Sequence, residues 1–447
     1  MKSDILLTDI CLSDPFGDTW GDTGDAPIKS DCCLAVQGDV IRQIGPASEF
    51  HPIEAKTVIN GHGQLALPGL INGHCHAAMT LFRGLADDLS LADWLNNYIF
   101  PAEAEHVTPD MVYWCSKLAA AEMILSGTTT VADGYFHEHH AAKAFADTGL
   151  RAVAAQAVID FPAPGVPDPE EKINHAAEFL SQWREHPLVS PAVFVHSAYT
   201  CSPETLVAAK ELARLEKTLF FIHVAETEQE AEMIQEKQGD SPVRHLHKLG
   251  VLDSQTVCIH AVWLDEQDLD ILAETGAGVV VCPQSNLKLA SGTAPLQALL
   301  ARGIRVGIGT DGAASNNRLD LIREMDVCAK WHKLRDLDPV AVPVNKIFSM
   351  ATRGGASVLG LHEKIGQLEV GKKADIILVN LDAPHLQPVH GSDLSVYAAQ
   401  GSDVQTVLIN GTPVMQDRKI LSFDLEETLK QVRRLADQVK KRSSLSR

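Results

Sequence analysis

The sequence predicts an α/β protein in which a (β/α)8 barrel is inserted into a small β-sandwich domain built from both chain ends. In the middle of the 447-residue chain, apolar β-rich runs alternate with amphipathic helical stretches. The runs are almost continuously apolar, as expected for parallel strands that are buried on both faces. Short strands with Asn-Gly and Gly-Lys turn signals occur near both ends of the chain. Together these features indicate a barrel whose functional side chains lie at the carboxyl ends of its strands.

The elements follow in this order. Residues 1–67 contain short strands separated by turns and form the first part of the β-sandwich. Residues 68–366 form the barrel, whose predicted strands are 69–76, 128–134, 150–159, 192–197, 219–224, 256–261, 277–283 and 304–311. A long connection, residues 83–108, follows the first of them, and long loops at this end of a barrel usually carry function. Residues 367–447 form the rest of the sandwich and a charged carboxyl-terminal helix over 425–441.

The composition excludes several classes of partner. The chain has 38 basic and 58 acidic residues, a net charge of −20, which disfavours nucleic acid and anionic membranes. No apolar run approaches the length of a membrane span, and the first ten residues do not form a signal peptide. The nine cysteines include no CxxC pair, so neither a disulfide framework nor a thiolate zinc site is expected. We therefore expect a cytoplasmic protein.

The first barrel strand ends in the sequence His74-Cys75-His76. Side chains at positions i and i+2 of a strand point to the same face, so the two imidazoles would project together. Two imidazoles directed at one point are a plausible beginning of a metal site. Two surface histidines at a strand end are the alternative, and the rest of the chain has to decide between them.

Four further barrel strands also carry a histidine or an aspartate at or near their carboxyl ends, namely His196, His223, His260 and Asp311. Any one of them could be an ordinary core histidine or edge residue, but five such strands favour a shared site. His74, His76, His223 and Asp311 would hold one ion and leave a position for water. Imidazole and carboxylate ligands suit zinc, with iron(II) as the alternative, better than magnesium or calcium. The fourth strand lacks a lysine that could be carboxylated to bridge two metals, which favours a single ion.

Two acid–base groups accompany this set. Glu226 lies three residues after His223 and is placed to shuttle a proton to the substrate. Its alternative role is an exposed glutamate stabilised by a helix dipole. His260 would orient the attacking water or polarise the group under attack, and Asp311 could accept the water proton. The histidine-rich stretch at 137–140 has no matching spacing, and we expect it to be a solvated helix start.

Several motifs together resemble the amidohydrolase superfamily, and more narrowly the 5-methylthioadenosine/S-adenosylhomocysteine deaminase group. The motifs are PGLINGHCHAAMTLFRG at 68–84, HVAET at 223–227, CIHAVWL at 258–264, CPQSNLKLASGTAP at 282–295 and GTDGAASNNRLDL at 309–321. The resemblance covers most of the chain and implies the same four metal ligands, with Glu226 as proton shuttle and His260 as the residue that orients hydroxide. It also implies that the protein acts on a small-molecule nucleoside and forms a homodimer.

The resemblance adds three substrate-binding residues. Glu103, in the long connection, is similar to a family glutamate that binds the ribose hydroxyls; on the residues alone it could be a surface carboxylate. His196 resembles a family histidine that contacts the ligand. Trp94 would pack over the purine or, alternatively, anchor the loop as a core residue.

One departure bears on the substrate. Family members that accept S-adenosylhomocysteine are expected to supply arginine for its carboxylate, and at the position considered in the third strand this chain has Gln156. We therefore expect 5'-methylthioadenosine, or adenosine, to be preferred over S-adenosylhomocysteine. The nearest alternative is a related amidohydrolase that acts on guanine, a modified purine or a triazine. A non-catalytic scaffold on the same fold is the alternative from a different class.

Overall fold

The computed structural model describes residues 2–13, 28–50 and 54–445. Its strands are β1 (Lys2–Leu12), β2 (Lys29–Gln37), β3 (Val40–Pro46), β4 (Glu54–Asn60), β5 (Gln64–Pro68), β6 (Leu70–Cys75), β7 (Thr128–Tyr135), β8 (Arg151–Val158), β9 (Val189–Ser197), β10 (Phe220–Val224), β11 (Thr256–His260), β12 (Gly278–Val281), β13 (Val306–Ile308), β14 (Ile376–Asn380), β15 (Val404–Ile409), β16 (Thr412–Gln416) and β17 (Lys419–Ile420).

The helices alternate with the barrel strands and continue after them. They are α1 (Leu91–Trp94), α2 (Phe100–His106), α3 (Pro109–Leu125), α4 (Glu138–Thr148), α5 (Lys172–Trp183), α6 (Pro203–Leu215), α7 (Glu228–Gln238), α8 (Pro242–Lys248), α9 (Glu266–Thr275), α10 (Pro283–Lys288), α11 (Leu296–Ala301), α12 (Leu321–Asp336), α13 (Val344–Met350), α14 (Arg353–Val358), α15 (Leu394–Tyr397) and α16 (Leu425–Leu445). In the described part of the chain, no helix has the length and hydropathy needed to cross a membrane.

Contacts between residues divide the chain into two units. The first unit comprises Met1–Ile71, Glu122–Thr130 and Asp320–Phe423, and the second comprises Asn72–Ala121, Val131–Leu319 and Asp424–Arg447. The boundaries expected from the sequence, at 67/68 and 366/367, remain a prediction.

The first unit contains one mixed sheet that both chain ends build. Its order is β17-β16-β15-β14-β5-β1-β2-β3, with β4 paired to β1. The junction between the two chain ends is the antiparallel pair β5–β14, in which Ala66 lies opposite Leu378. Alternating apolar residues of these strands form its core, including Leu7, Leu34 and Ile376. The expected small sandwich is thus a single nine-stranded sheet in its hydrogen bonding.

The second unit contains the barrel. Strands β6 to β13 lie side by side in chain order, and neighbouring strands from β8 to β13 pair in parallel. The last strand also meets the first, because the Asp311 N–H donates to the His74 carbonyl at 3.0 Å. The Asn72 amide donates to the Thr310 hydroxyl beside this contact, at 2.7 Å. All eight predicted strands are present, and the predicted barrel fold is confirmed.

Gly309 permits this close approach of the last strand to the first. A Cβ atom there would lie 2.7 Å from the His74 backbone nitrogen and 2.9 Å from its carbonyl oxygen. Such contacts are far below van der Waals distance, so only glycine fits. The approach brings Asp311, two residues later, next to the first-strand histidines.

Candidate active site

Four of the predicted site residues meet at the carboxyl end of the barrel. His74 Nε2 lies 3.3 Å from His223 Nε2 and 3.4 Å from Asp311 Oδ1. His76 Nε2 lies 3.4 Å from the same carboxylate oxygen. His74, His223 and Asp311 are buried and His76 is half-buried. Among the described residues, two groups of three side chains that share His74 could each hold a metal ion: His74, His76 and Asp311, and His74, His223 and His260.

Burial keeps the histidines of this cluster neutral. It lowers the pKa of His74 to about 4 and, with the neighbouring imidazoles, holds that of His223 well below its ordinary value. Burial also lowers the pKa of His76. His76 Nδ1 donates to the carbonyl of Gly134 at 2.6 Å, so its Nε2 presents a lone pair to the cluster. Neutral imidazoles with a fixed tautomer are the form that binds metals.

Three pairs of ligand atoms in this cluster are spaced like neighbouring ligands of one metal ion. Zinc bonds to nitrogen and oxygen of about 2.0–2.2 Å place tetrahedral ligand atoms about 3.3–3.6 Å apart. The three measured separations of 3.3, 3.4 and 3.4 Å lie in this range. Two neutral imidazole nitrogens at such a distance repel each other unless a cation or proton lies between them. The donor set of imidazole and carboxylate groups suits zinc or iron(II).

Asp311 is oriented by two serines that the sequence interpretation did not identify. Ser285 and Ser315 donate to Asp311 Oδ2 at 2.6 and 2.9 Å. The other oxygen, Oδ1, is left facing His74 and His76. Burial alone would raise the pKa of Asp311, but its hydrogen bond to His74 and its electrostatic interaction with the surrounding imidazoles hold it well below its ordinary value. Ser285 lies in the SNLKLASG motif and Ser315 in the GTDGAASNN motif, so these motifs are the sequence feature from which the two serines could have been identified.

Backbone strain accompanies the cluster. Ala225, His260 and Asp311 have φ angles of 52°, 73° and 60°, in the left-handed region that residues other than glycine rarely adopt. Such conformations cost about 1–3 kcal/mol each and persist only where surrounding bonds impose them. Glu230 provides such bonds, because its carboxylate accepts from the N–H groups of Ala225 and Glu226 at 2.9 and 2.8 Å. Two of the three strained residues, His260 and Asp311, line the catalytic cavity.

Glu226 and His260 lie side by side at the edge of the cluster. Glu226 Oε2 is 3.7 Å from His260 Nε2, and only 8% of Glu226 is exposed, which contradicts the alternative of an exposed helix-start glutamate. Burial and the charge of Asp311 raise the pKa of Glu226 to about 8. The Asn286 amide nitrogen lies 3.2 Å from His260 Nδ1. As placed, this amide donates, so the His260 proton is on Nε2 and faces the cavity.

A cavity extends from the cluster toward the long connection after the first barrel strand. All three predicted substrate-binding residues line it, and apolar side chains make up much of the wall. The lining includes Leu91, Trp94, Phe100, Glu103, Tyr135, Ala157, Ile159, His196 and Leu289. Among the described residues that line the cavity, none is a lysine or an arginine.

The substrate-binding candidates are all held inside the protein. Trp94 is buried, and so is Glu103, which excludes the alternative of a surface carboxylate. Burial lowers the pKa of His196 to about 3, and its Nδ1 is 3.0 Å from the Thr200 hydroxyl. Tyr135, which the sequence interpretation did not identify, donates its hydroxyl proton to Glu103 Oε1 at 2.6 Å. Their roles in binding remain predictions.

Gln156 does not face this cavity. Ala157 of β8 and Ile159, just after the strand, line the catalytic cavity, whereas Gln156 lines a different one. Its side-chain oxygen accepts from the Glu138 N–H at 3.3 Å. Side chains of a strand alternate between its two faces, so Gln156 points away from the face on which Ala157 lines the catalytic cavity. Gln156 therefore gives no ground for excluding S-adenosylhomocysteine.

The stretch 137–140 begins α4 as expected, but it is only partly solvated. His139 is exposed and His137 and His140 are half-buried, whereas Glu138 is fully buried. Burial raises the pKa of Glu138 well above its ordinary value, and hydrogen bonds from the backbone N–H groups of Tyr135 and Ala155 oppose this rise. Glu138 departs from the expectation because α4 packs its first residue against β8. His137, His139 and His140 line the second cavity, but within the described residues they belong to no group of three clustered metal-ligating atoms.

Comparisons with known proteins agree with this architecture. Residues 65–414 match the model of the amidohydrolase family. The chain is 46% identical over 413 residues to 5-methylthioadenosine/S-adenosylhomocysteine deaminase 1 of Syntrophus aciditrophicus, covering 92% of this chain and 93% of that protein. It is 43% identical over 439 residues to the corresponding deaminase of Aquifex aeolicus, covering 98% of each.

A solved structure is also similar over the whole fold. The crystal structure of an adenosine deaminase from Xanthomonas campestris with bound zinc superposes with a TM-score of 0.94 at 33% identity. The match covers 98% of this chain and 99% of that one. The chain therefore belongs to the amidohydrolase family, in its group of 5-methylthioadenosine/S-adenosylhomocysteine deaminases.

Proposed function

We propose that this protein deaminates 5'-methylthioadenosine, and also adenosine, to the corresponding inosine compound and ammonia. The observation that carries the proposal is the cluster of imidazoles and one carboxylate, which lies beside the buried carboxyl of Glu226 and opens into a mostly apolar cavity. The names of the relatives support the same reaction class.

His74, His76, His223 and Asp311 would hold one divalent metal ion, which we propose is zinc. When bound, the ion supplies a Lewis acid and lowers the pKa of a coordinated water to about 7. Iron(II) suits the same donors. Metal analysis of the purified protein distinguishes the two, and a protein without metal that still deaminates would contradict the assignment.

Glu226 supplies the proton that activates the purine. With a pKa of about 8, its carboxyl is protonated at neutral pH and can donate to N1 of the adenine ring. Protonation at N1 withdraws electrons from C6 and favours addition of water there. The carboxylate left on Glu226 then takes a proton from the added water and passes it to the amino group, which leaves as ammonia. The proton that remains on the oxygen at C6 returns to Glu226 as the C6 carbonyl forms. His260 donates from Nε2 to the oxygen at C6.

The far part of the cavity binds the nucleoside. Glu103 accepts hydrogen bonds from the ribose hydroxyls, Trp94 packs over the purine, and His196 contacts the ligand. These assignments rest on the resemblance to the family and are supported by the presence of all three side chains in one cavity with the cluster.

The preference for methylthioadenosine now rests on the cavity wall instead of Gln156. The described lining residues include no lysine or arginine to pair the carboxylate of S-adenosylhomocysteine, whereas Leu91, Phe100 and Leu289 suit a methylthio group. An unpaired buried charge costs at least about 1–3 kcal/mol, or about 10- to 100-fold in affinity. We therefore expect kcat/KM for methylthioadenosine to exceed that for S-adenosylhomocysteine by at least tenfold. A preference for S-adenosylhomocysteine would refute this.

The decisive experiment measures ammonia release from adenosine, methylthioadenosine, S-adenosylhomocysteine and guanine, and product release from a triazine. Turnover of the adenosine compounds supports the proposal; turnover of guanine or the triazine alone supports the alternative amidohydrolase. No turnover with metal bound would support a non-catalytic scaffold. The homodimer and the cytoplasmic location stay predictions, and a native mass measurement tests the first.

A further inference from the structure

The contact between Tyr135 and Glu103 joins two distant parts of the chain inside the catalytic cavity. Tyr135 is the last residue of β7, and Glu103 lies in α2, within the long connection after the first barrel strand. Only 4% of Tyr135 and 5% of Glu103 are exposed. Their oxygen atoms, Oη and Oε1, are 2.6 Å apart, a length typical of a hydrogen bond between a hydroxyl and a charged carboxylate.

The contact has a fixed direction. Burial and the neighbouring Glu103 raise the pKa of Tyr135 well above its ordinary value, so the phenol keeps its proton and donates. Burial opposes ionisation of Glu103 and raises its pKa to about 7, while the bond from Tyr135 works in the opposite direction. Among the described residues, the side chain that donates to this carboxylate is Tyr135, through its hydroxyl.

We propose that Tyr135 is a positioning residue that occupies one oxygen of Glu103 and so directs the other toward the 2'- and 3'-hydroxyls of the substrate ribose. This inference rests on the proposed function. A carboxylate with one oxygen held by a rigid strand end has less freedom to lose when the ligand binds. The diol of the ribose is thereby recognised by a prearranged acceptor.

The alternative is that Tyr135 only fills space. Its ring lies 5.3 Å from that of Phe136 and 6.2 Å from that of His76, centroid to centroid. A Tyr135→Phe substitution keeps the ring and removes only the hydroxyl, so it separates the two roles. Tyr113→Phe is the matched control, because the Tyr113 hydroxyl donates to Asp147 at 2.7 Å outside the cavity.

The test compares methylthioadenosine with its 2',3'-dideoxy analogue. Tyr135→Phe should raise KM for methylthioadenosine about tenfold with little change in kcat, since a hydrogen bond to a charged group is lost. KM for the dideoxy analogue should stay within about twofold of the wild-type value, because that ligand offers no hydroxyls to Glu103. Tyr113→Phe should change neither.

A double-mutant cycle with Glu103→Gln completes the test. If Tyr135 acts through Glu103, adding Tyr135→Phe to the Glu103→Gln variant should raise KM for methylthioadenosine by less than a further twofold. Equal losses for both nucleosides, or additive losses in the cycle, would assign Tyr135 a structural role. A wild-type protein that deaminates the nucleosides and a Tyr135→Phe variant with unchanged KM would refute this inference alone. A wild-type protein that deaminates neither nucleoside would refute the proposed function together with it.

Should Tyr135→Phe not fold, Tyr135→Leu and Tyr135→Met replace it, because both side chains are apolar and have no N–H or O–H donor. Thermal unfolding of each variant shows which are folded. A folded variant that has no hydrogen-bond donor at position 135 and still prefers methylthioadenosine over its dideoxy analogue as strongly as the wild type would also overturn the inference.

Discussion

Replacing Glu226 by glutamine tests the central step of the proposed reaction. The amide has nearly the same shape as the carboxyl but cannot give a proton to the purine. Because the pKa of Glu226 is about 8, about nine-tenths of the wild-type molecules carry that proton at pH 7. A positioned general acid typically contributes a factor of about 10²–10⁴. We therefore expect kcat to fall by about 10²- to 10⁴-fold.

The other properties of Glu226→Gln should change little. The side chain is not among the four proposed ligands, so metal content per chain should equal that of the wild type. Stability should not fall, because the substitution removes a buried carboxyl that lies near the charge of Asp311. Steady-state ammonia release gives kcat and KM, elemental analysis gives the metal content, and urea unfolding gives the stability.

The matched control is Glu228→Gln, two residues further along on the exposed first turn of α7. It makes the same chemical change outside the cavity and should leave kcat within about twofold of wild type. Full activity in Glu226→Gln would show that another group protonates the purine. Loss of metal in that variant would show instead that Glu226 is a ligand.

Three further predictions follow from the geometry. Burial raises the pKa of Glu103 to about 7, so its carboxylate is lost as pH falls through that value; KM for a ribonucleoside should then rise, and a flat profile would contradict this. Ser285→Ala removes a 2.6 Å hydrogen bond to Asp311 and should weaken metal binding about 10- to 100-fold in a chelator competition; unchanged affinity would exclude an orienting role. Gly309→Ala would place a Cβ 2.7 Å from the backbone nitrogen of His74, and it should lower the free energy of unfolding, measured in urea, by about 1–3 kcal/mol. A urea midpoint equal to that of the wild type would show that the two strands can move apart without loss of stability.

The barrel and its metal cluster could be predicted from the sequence because both depend on local patterns. Near-continuous apolar runs separated by helical stretches specify parallel strands, and the fold then fixes where their carboxyl ends lie. His74 and His76 share a face because they are two residues apart in a strand. His223, His260 and Asp311 each follow an apolar run, so the same rule brought them to the site without knowledge of their partners.

Other features depend on which face of a strand turns inward and on what packs against it. Gln156 was assigned to the cavity, but a shift of one residue reverses the face, and Ala157 is the residue that lines it. Glu138 lies in a polar, histidine-rich stretch whose composition is typical of a solvated helix start, but Glu138 itself is buried against β8.

The sequence by itself thus determined the fold class, the proposed ligands and the acid–base pair, because these follow from periodicity and from strand ends. Only the tertiary structure decided that Tyr135 donates to Glu103 and that Ser285 holds Asp311. Those pairs are separated by 32 and 26 positions. Hydrogen bonds of this kind are set by distances of a few tenths of an ångström between elements, which no local pattern encodes.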